Sequence, residues 1–366
     1  MKKLFPTQEI GSLAKPSWLI KGLRGLPSSE EDIKELDLWA KKLGIQGYEE
    51  IKQLLIKKSI TEKKLRDFAA FFNIKFFEKT GLDFVYDGEA RRIEMYEYPV
   101  RHIKGIKILD WVRSFDNKYY RKGACIDKPK LENFYHVEEF EFVKNNTNRG
   151  VKVPITGPYT LADWSFNEYY ESRLVDRIKD FRERKKVAKQ DFVFDLAKEI
   201  VRPNIIALVE AGAEWIQIDE PAATTHPDEI SLFIDAFNET VEGINCKFSV
   251  HICYSDYSLL YPELLELKVD HLAFEYANRK NYEDLKLFKE YGDKREIGLG
   301  VLDVHSDEVE TPELVKERLI YAYNLLEENE IYANPDCGLR TRSLEVSFKK
   351  LSNLVKGAQL ARDYLS

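Results

Sequence analysis

Cysteine is scarce in this chain. Four thiols (Cys125, Cys246, Cys253 and Cys337) in 366 residues are too few for a disulfide framework. They are expected to be reduced, each serving either as core filler or as a chemically employed group. Long apolar runs are also missing. No stretch approaches the ~18 uninterrupted apolar residues of a membrane span. The N-terminal MKKLFPTQEI has two lysines but no apolar segment behind them, so no signal peptide is expected. Nor is there a basic surplus: 56 Lys and Arg stand against 63 Asp and Glu, a net charge of -7, which argues against a nucleic-acid partner. Low-complexity linkers are absent. What remains is the expectation of a soluble, cytoplasmic enzyme with no membrane partner.

What the chain does have is core material, 44% hydrophobic and 13% aromatic residues. Eight short β-rich runs recur between helical patterns, at 4–10, 83–89, 152–158, 215–221, 247–253, 271–277, 296–304 and 331–337. Strands that alternate with helices predict an α/β fold with a parallel sheet, and eight of them predict a (β/α)8 TIM barrel. The chain is long enough for two domains of ~150 residues, but one barrel of ~250 with insertions fits equally well. We expect a single barrel over 1–366, with insertions at about 28–80, 100–150 and 167–200. The first should be amphipathic helices, with Leu36, Leu38, Trp39, Leu43, Ile51, Leu54 and Leu55 as apolar positions. The second, which includes KILDWVRSFDNKYY and FYHVEEFEFV, reads as a strand excursion. The third reads as a charged helix, RIKDFRERKKVAKQ, that is solvated or docks an acidic partner.

Within the runs, side chains alternate with period two. In 246–253, Cys246, Phe248, Val250 and Ile252 share one face, while Lys247, Ser249, His251 and Cys253 share the other. A polar inner face suits the axis of a barrel, whose active site lies at the C-terminal strand ends. Those ends carry Ile10-Gly11-Ser12, Glu89, Asp219-Glu220, His251, Cys253, Glu275, His305 and Cys337. An imidazole, two thiols and a carboxylate (His251, Cys253, Cys337 and Glu275) at neighbouring strand ends form a plausible zinc site, because soft thiolates favour Zn2+ over magnesium or calcium. Cys246 reads as packing. Cys125 has no visible partner, and His102, His136, His226 and His271 lack matched spacing. Asp219-Glu220 could equally be a helix cap or strand-end salt bridge.

The strings FPTQEIGS, DGEARR, TGPYTLADWSF, QIDEPA, HICYS, LAFEYANR, GLGVLDVHS and NPDCGLRTR together resemble the catalytic domain of cobalamin-independent methionine synthase, in a short, archaeal-type core form. The resemblance implies a (β/α)8 barrel that transfers a methyl group to the thiol of L-homocysteine to form methionine. It implies zinc on His251, Cys253, Glu275 and Cys337, and homocysteine on Ile10, Gly11, Ser12, Glu89 and Asp219. It further implies His305 as a proton donor and Trp164 as a platform for the methyl donor.

The chain departs from the family pattern where folate is held. Thr225 stands where the family has a glutamate, and Ala124-Cys125 where it has an Arg-Cys pair. The family's second, N-terminal barrel has no counterpart in the matched strings. The expected donor is therefore a methyl-corrinoid, free or protein-bound, or a methylated tetrahydropterin, rather than a folate polyglutamate. Two other readings remain at this point: a zinc alkyltransferase for another thiol such as coenzyme M, and a non-catalytic zinc-binding scaffold or subunit.

Overall fold

The computed structural model describes residues 3–113, 119–278 and 282–366. Part of the predicted strand excursion (114–118) and Arg279 of LAFEYANR lie outside these. The central feature is a closed ring of parallel strands. Its order follows the chain: residues 7–8, Phe84–Val85, Gly150–Val151 with Val153–Thr156, Trp215–Asp219, Lys247–Ile252, His271–Phe274, Glu296–Leu302 and Ile331–Pro335. Each pairs in parallel with the next. The ring closes through the first strand, where Thr7 bridges Ala333 and Gln8 bridges Phe84. All eight predicted strands are present, and the fold is the expected (β/α)8 barrel.

Alternation sorts the side chains as expected. Phe248, Val250 and Ile252 are buried toward the outer helices, among them Pro312–Leu325 and Leu344–Leu365, N-capped by Thr311 and Ser343. The axis is filled with polar groups, many bonded to one another, while Gln8 Oε1, His271 Nδ1 and both Glu9 oxygens are buried without a hydrogen bond. Gln8 Nε2 lies 3.1 Å from His271 Nε2 and 3.0 Å from Asn334 Oδ1, and Trp215 Nε1 donates to Ser249 Oγ. Lys152 Nζ donates to Gln217 Oε1 (2.5 Å), and Gln217 Nε2 donates to the Ile10 carbonyl (2.8 Å) and to Asp219 Oδ1 (2.7 Å). Buried polar groups bonded in this way cost little and fix the rotamers above them.

The three segments expected as insertions hold mainly helices and one small sheet. Residues 28–80 form helices Glu30–Leu43, Tyr48–Ile56 and Glu62–Thr80. Leu38, however, is 64% exposed. The buried stripe of its helix runs through 32, 36, 39, 40 and 43, and residue 38 lies off it at 3.6 residues per turn. The excursion contains an antiparallel hairpin, Ile103–Arg113 with Tyr119–Leu131, to which Ser165–Asn167 adds a third strand. FYHVEEFEFV is not part of it, because Val137–Asn146 is a helix. Its buried positions Glu139, Phe140 and Val143 have helical spacing, which overrides the β propensity of Phe and Val. The charged run forms the helix Phe181–Leu196, capped by Asp180. Among the described residues, no helix is long and apolar enough to cross a membrane.

Candidate active site

At the C-terminal mouth of the barrel lies a pocket enclosing about 850 Å³ of empty space, part of it open to solvent. Its wall brings together Ile10, Gly11, Ser12, Glu89, Trp164, Asp219, His251, Cys253 and Cys337, nine of the eleven predicted site residues. The other two, Glu275 and His305, are not on the wall.

His251, Cys253 and Cys337 offer ligand atoms that all lie within 4.8 Å of one another. Strand geometry explains the first two, since residues two apart project to one side. Cys337 arrives from the loop after the last strand. The ring of His251 is oriented by its Nδ1, 2.9 Å from the Ala273 carbonyl. A carbonyl only accepts, so Nδ1 carries the proton and Nε2 is the ligating nitrogen. Nε2 is buried with no oxygen or nitrogen partner. Glu275 stands beside this group rather than within it. Its Oε2 accepts from Tyr254 N and Asn278 Nδ2, both at 3.1 Å, while Oε1 is buried without a hydrogen bond. Two thiols, an imidazole nitrogen with no oxygen or nitrogen partner and a carboxylate oxygen without a hydrogen bond fit a thiophilic divalent metal.

Electrostatics point the same way. Burial opposes a charged His251, but the Cys337 sulfur and Asp219 outweigh it and raise its pKa to about 9. Hydrogen bonding to Cys337 and burial push the Cys253 thiol well above 9, and burial together with Cys337 raises Glu275. A cation placed among these crowded, buried donors would favour their deprotonated forms. A second group, Asp163, His226 and Glu229, is equally compact, but the Lys189 ammonium already binds Asp163 (2.7 Å) and Glu229. It is an ion-pair network.

Glu89 and Asp219 form the carboxylate side of the pocket. Glu89 follows Gly88, and both are left-handed (φ 57° each), a conformation costing a non-glycine residue ~1 kcal/mol and typical of functional loops. The turn is pinned by Glu89 N donating to Asp87 Oδ1 (2.8 Å). Burial raises Asp219 to about 7 against the pull of His251 and Gln217. Its neighbour Glu220 instead accepts from the backbone N–H groups of Tyr159 (3.1 Å) and Thr160 (2.7 Å). The two carboxylates have thus divided the site and cap readings between them. Gly338 lets the loops of the first and last strands touch, since a Cβ there would lie 2.7 Å from Ser12 N.

Trp164 lines the pocket with one face already stacked on Tyr120 (4.9 Å, 29°). His305 is exposed and off the pocket wall, with its Nδ1 3.5 Å from the hydroxyl of the wall residue Tyr254. Cys246 is half-buried, and Cys125 is buried with its thiol 3.2 Å from the Asp127 carbonyl.

Several contributors escaped the sequence reading. Glu94, Met95, Tyr119, Tyr120, Tyr254 and Arg340 also line the pocket. Asp336 accepts three backbone N–H groups, from Tyr276, Ala277 and Asn278, all at 2.9 Å. Tyr257 donates to the Ile252 carbonyl (2.8 Å) and accepts from Glu275 N (2.7 Å). Asp336 ties the loop bearing Glu275 to the loop bearing Cys337, and Tyr257 ties it to the loop bearing Cys253. Removing such an outer support typically weakens a metal site ~10–100-fold. Asp336→Asn is therefore expected to lower zinc affinity by about that factor, measured by competition with a chromogenic chelator; an unchanged affinity would count against this role.

The family model for the cobalamin-independent synthase catalytic domain matches residues 48–360. Methionine synthase of Thermoplasma volcanium is 39% identical, with 95% of each chain covered. Methionine synthase of Pyrococcus furiosus is 38% identical, covering 99% of this chain and 94% of its own. A B12-independent methionine synthase from Shewanella sp. W3-18-1, solved in complex with selenomethionine, has the same fold (TM-score 0.77, 23% identity, 99% of each chain). The barrel, the site and this likeness agree: the chain belongs to the family of the cobalamin-independent methionine synthase catalytic domain, and is an enzyme of that methyltransferase class.

Proposed function

We propose that the chain transfers a methyl group to the thiol of L-homocysteine, forming methionine, with zinc held by His251, Cys253, Cys337 and Glu275. The observation that carries this reading is the convergence of three ligand atoms within 4.8 Å on the same pocket wall as Glu89 and Asp219. Zinc supplies acidity: a thiol of pKa about 8.5 is mostly protonated at neutral pH and becomes a nucleophile on coordination. The chain's own groups bind and orient. Glu89 and Asp219 pair with the substrate ammonium, and Ile10-Gly11-Ser12 receive its carboxylate. The apolar side of the pocket, Met95, Tyr120, Trp164 and Pro221, excludes water from the donor. The sulfur attacks the methyl carbon in line, so the S–C bond forms as the donor's bond to carbon breaks. Most of the work is positioning.

For the donor we favour a methyl-corrinoid, free or protein-bound, or a methylated tetrahydropterin over a folate polyglutamate. Ala124 is buried, and the thiol of Cys125 is turned to the Asp127 carbonyl, so neither offers a group to a ligand. His305 bears on the choice, because a pterin leaving group takes up a proton and a corrinoid does not.

A sulfonate thiol such as coenzyme M has no ammonium for two carboxylates to bind. In a competition assay, homocysteine should be methylated in strong preference to coenzyme M. Preference for the sulfonate thiol would move the assignment to that substrate. A purely structural zinc would have a closed shell, whereas His251, Cys253 and Cys337 line an open pocket.

A further inference from the structure

Among the described residues, the wall of the barrel-mouth pocket carries three carboxylates, on Glu89, Glu94 and Asp219, and a single arginine or lysine, Arg340. We propose that Arg340 is a further substrate-binding residue, whose guanidinium joins the N–H groups of Gly11 and Ser12 in clamping the α-carboxylate of the amino-acid thiol. The proposal rests on the homocysteine reading above and adds to it a group that the sequence did not single out.

A zwitterion brings two charges into the pocket, and each needs a partner once water is displaced. Glu89 and Asp219 answer the ammonium. The third carboxylate is committed elsewhere, since Glu94 Oε2 accepts from Tyr96 N (2.8 Å) and Glu97 N (3.0 Å). Arg340 is uncommitted. It is exposed at the mouth and makes no ion pair or hydrogen bond with any described residue. Arg342, two residues on, is by contrast paired with Asp307 (2.9 Å).

The path of the chain brings this guanidinium to idle donors. Gly338 packs against Ser12, where a Cβ would lie 2.7 Å from Ser12 N and 3.0 Å from Ser12 Oγ. The loop leading to Arg340 therefore crosses the loop of Ile10-Gly11-Ser12. The N–H groups of Gly11 and Ser12 donate to no described protein acceptor. Glu89 lies alongside, because a Cβ on Gly11 would be 3.5 Å from its Oε1. An α-amino acid carries its ammonium and carboxylate on one carbon, so it needs anionic and cationic subsites that adjoin. The charge of Arg340 also reaches Lys15, whose ammonium is lowered to about 8 by burial, with Glu89 opposing and Arg340 adding to the shift. A carboxylate suits such a corner, and a planar guanidinium can hold it through two parallel hydrogen bonds.

The test is calorimetric titration of the zinc-loaded chain with L-homocysteine and with 3-aminopropane-1-thiol, the same molecule without its carboxylate. Both keep the thiol and the ammonium, so only the clamp distinguishes them. The unsubstituted chain should bind homocysteine at least ~10-fold more tightly. Arg340→Gln should weaken homocysteine by at least ~10-fold and the aminothiol by less than ~2-fold. Arg340→Lys should recover part of the loss, because it keeps the charge and gives up the fork. Arg342→Gln is the control and should change neither ligand. Homocysteine binding indifferent to Arg340→Gln, or an equal fall for both ligands, would overturn the proposal and leave the homocysteine reading standing. No binding of homocysteine to the unsubstituted chain up to about 10 mM would overturn that reading, and the proposal with it.

Discussion

Cys337→Ser should abolish both metal content and methyl transfer, the activity falling by more than about 1000-fold. Two losses combine in that figure. Without coordination, a thiol of pKa about 8.5 is only ~3% thiolate at pH 7, a ~30-fold loss of nucleophile. The sulfur also loses its fixed position, and orientation alone is worth at least a further ~100-fold in such reactions. Serine is nearly isosteric with cysteine, so the fold should survive; Cys337 is only partly buried, beside the tolerant pocket. Cys246→Ser is the control. That residue is half-buried, with its thiol near the Ala213 carbonyl at 3.7 Å, and its replacement should leave zinc stoichiometry at one and activity nearly unchanged. Metal analysis and methionine formation read the two effects separately. Activity that survives loss of the metal would refute the thiolate mechanism.

Asp219→Asn and Glu89→Gln should each lower kcat/KM for homocysteine by ~30–5000-fold while leaving zinc content unchanged. Truncating one partner of a desolvated charge pair costs ~2–5 kcal/mol, and Asp219 is 7% exposed. Gln217 Nε2 now donates to Asp219 Oδ1 (2.7 Å), and that bond survives in the asparagine variant if its carbonyl oxygen takes the same place. The lost term is then the charge alone. The discriminating readout is a thiol without an amino group, such as coenzyme M. Its poor turnover should not fall further in either variant. An equal fall for both thiols would mean that these carboxylates support the pocket generally rather than binding an ammonium.

Much of this site was legible because barrel strands end at their chemistry. His251 and Cys253 share a face by simple alternation, and the polar inner face of 246–253 marked the axis. What was not legible depends on partners that sequence does not display. Asp336 matters through three backbone N–H groups, and Tyr257 through one carbonyl and one amide. Arg340, five residues past the last strand, enters the pocket wall only because its loop folds back. The helix Val137–Asn146 was misread because its aromatic and β-branched residues mimic a strand, while its burial follows a helical period. Leu38 was misread in the opposite sense, an apolar side chain placed by type rather than by angle. Asp219-Glu220 shows the limit of spacing: adjacent carboxylates project to different sides, and only the neighbouring helix decides which one is a cap.

Methionine formation from homocysteine by chelator-stripped and zinc-reconstituted protein, with methylcobalamin, a methylated tetrahydropterin and the triglutamate folate as alternative donors, tests the account most directly. It predicts methionine only after zinc is restored, and from the corrinoid or the simple pterin. Turnover by the stripped protein, or methyl transfer from the triglutamate folate alone, would contradict it.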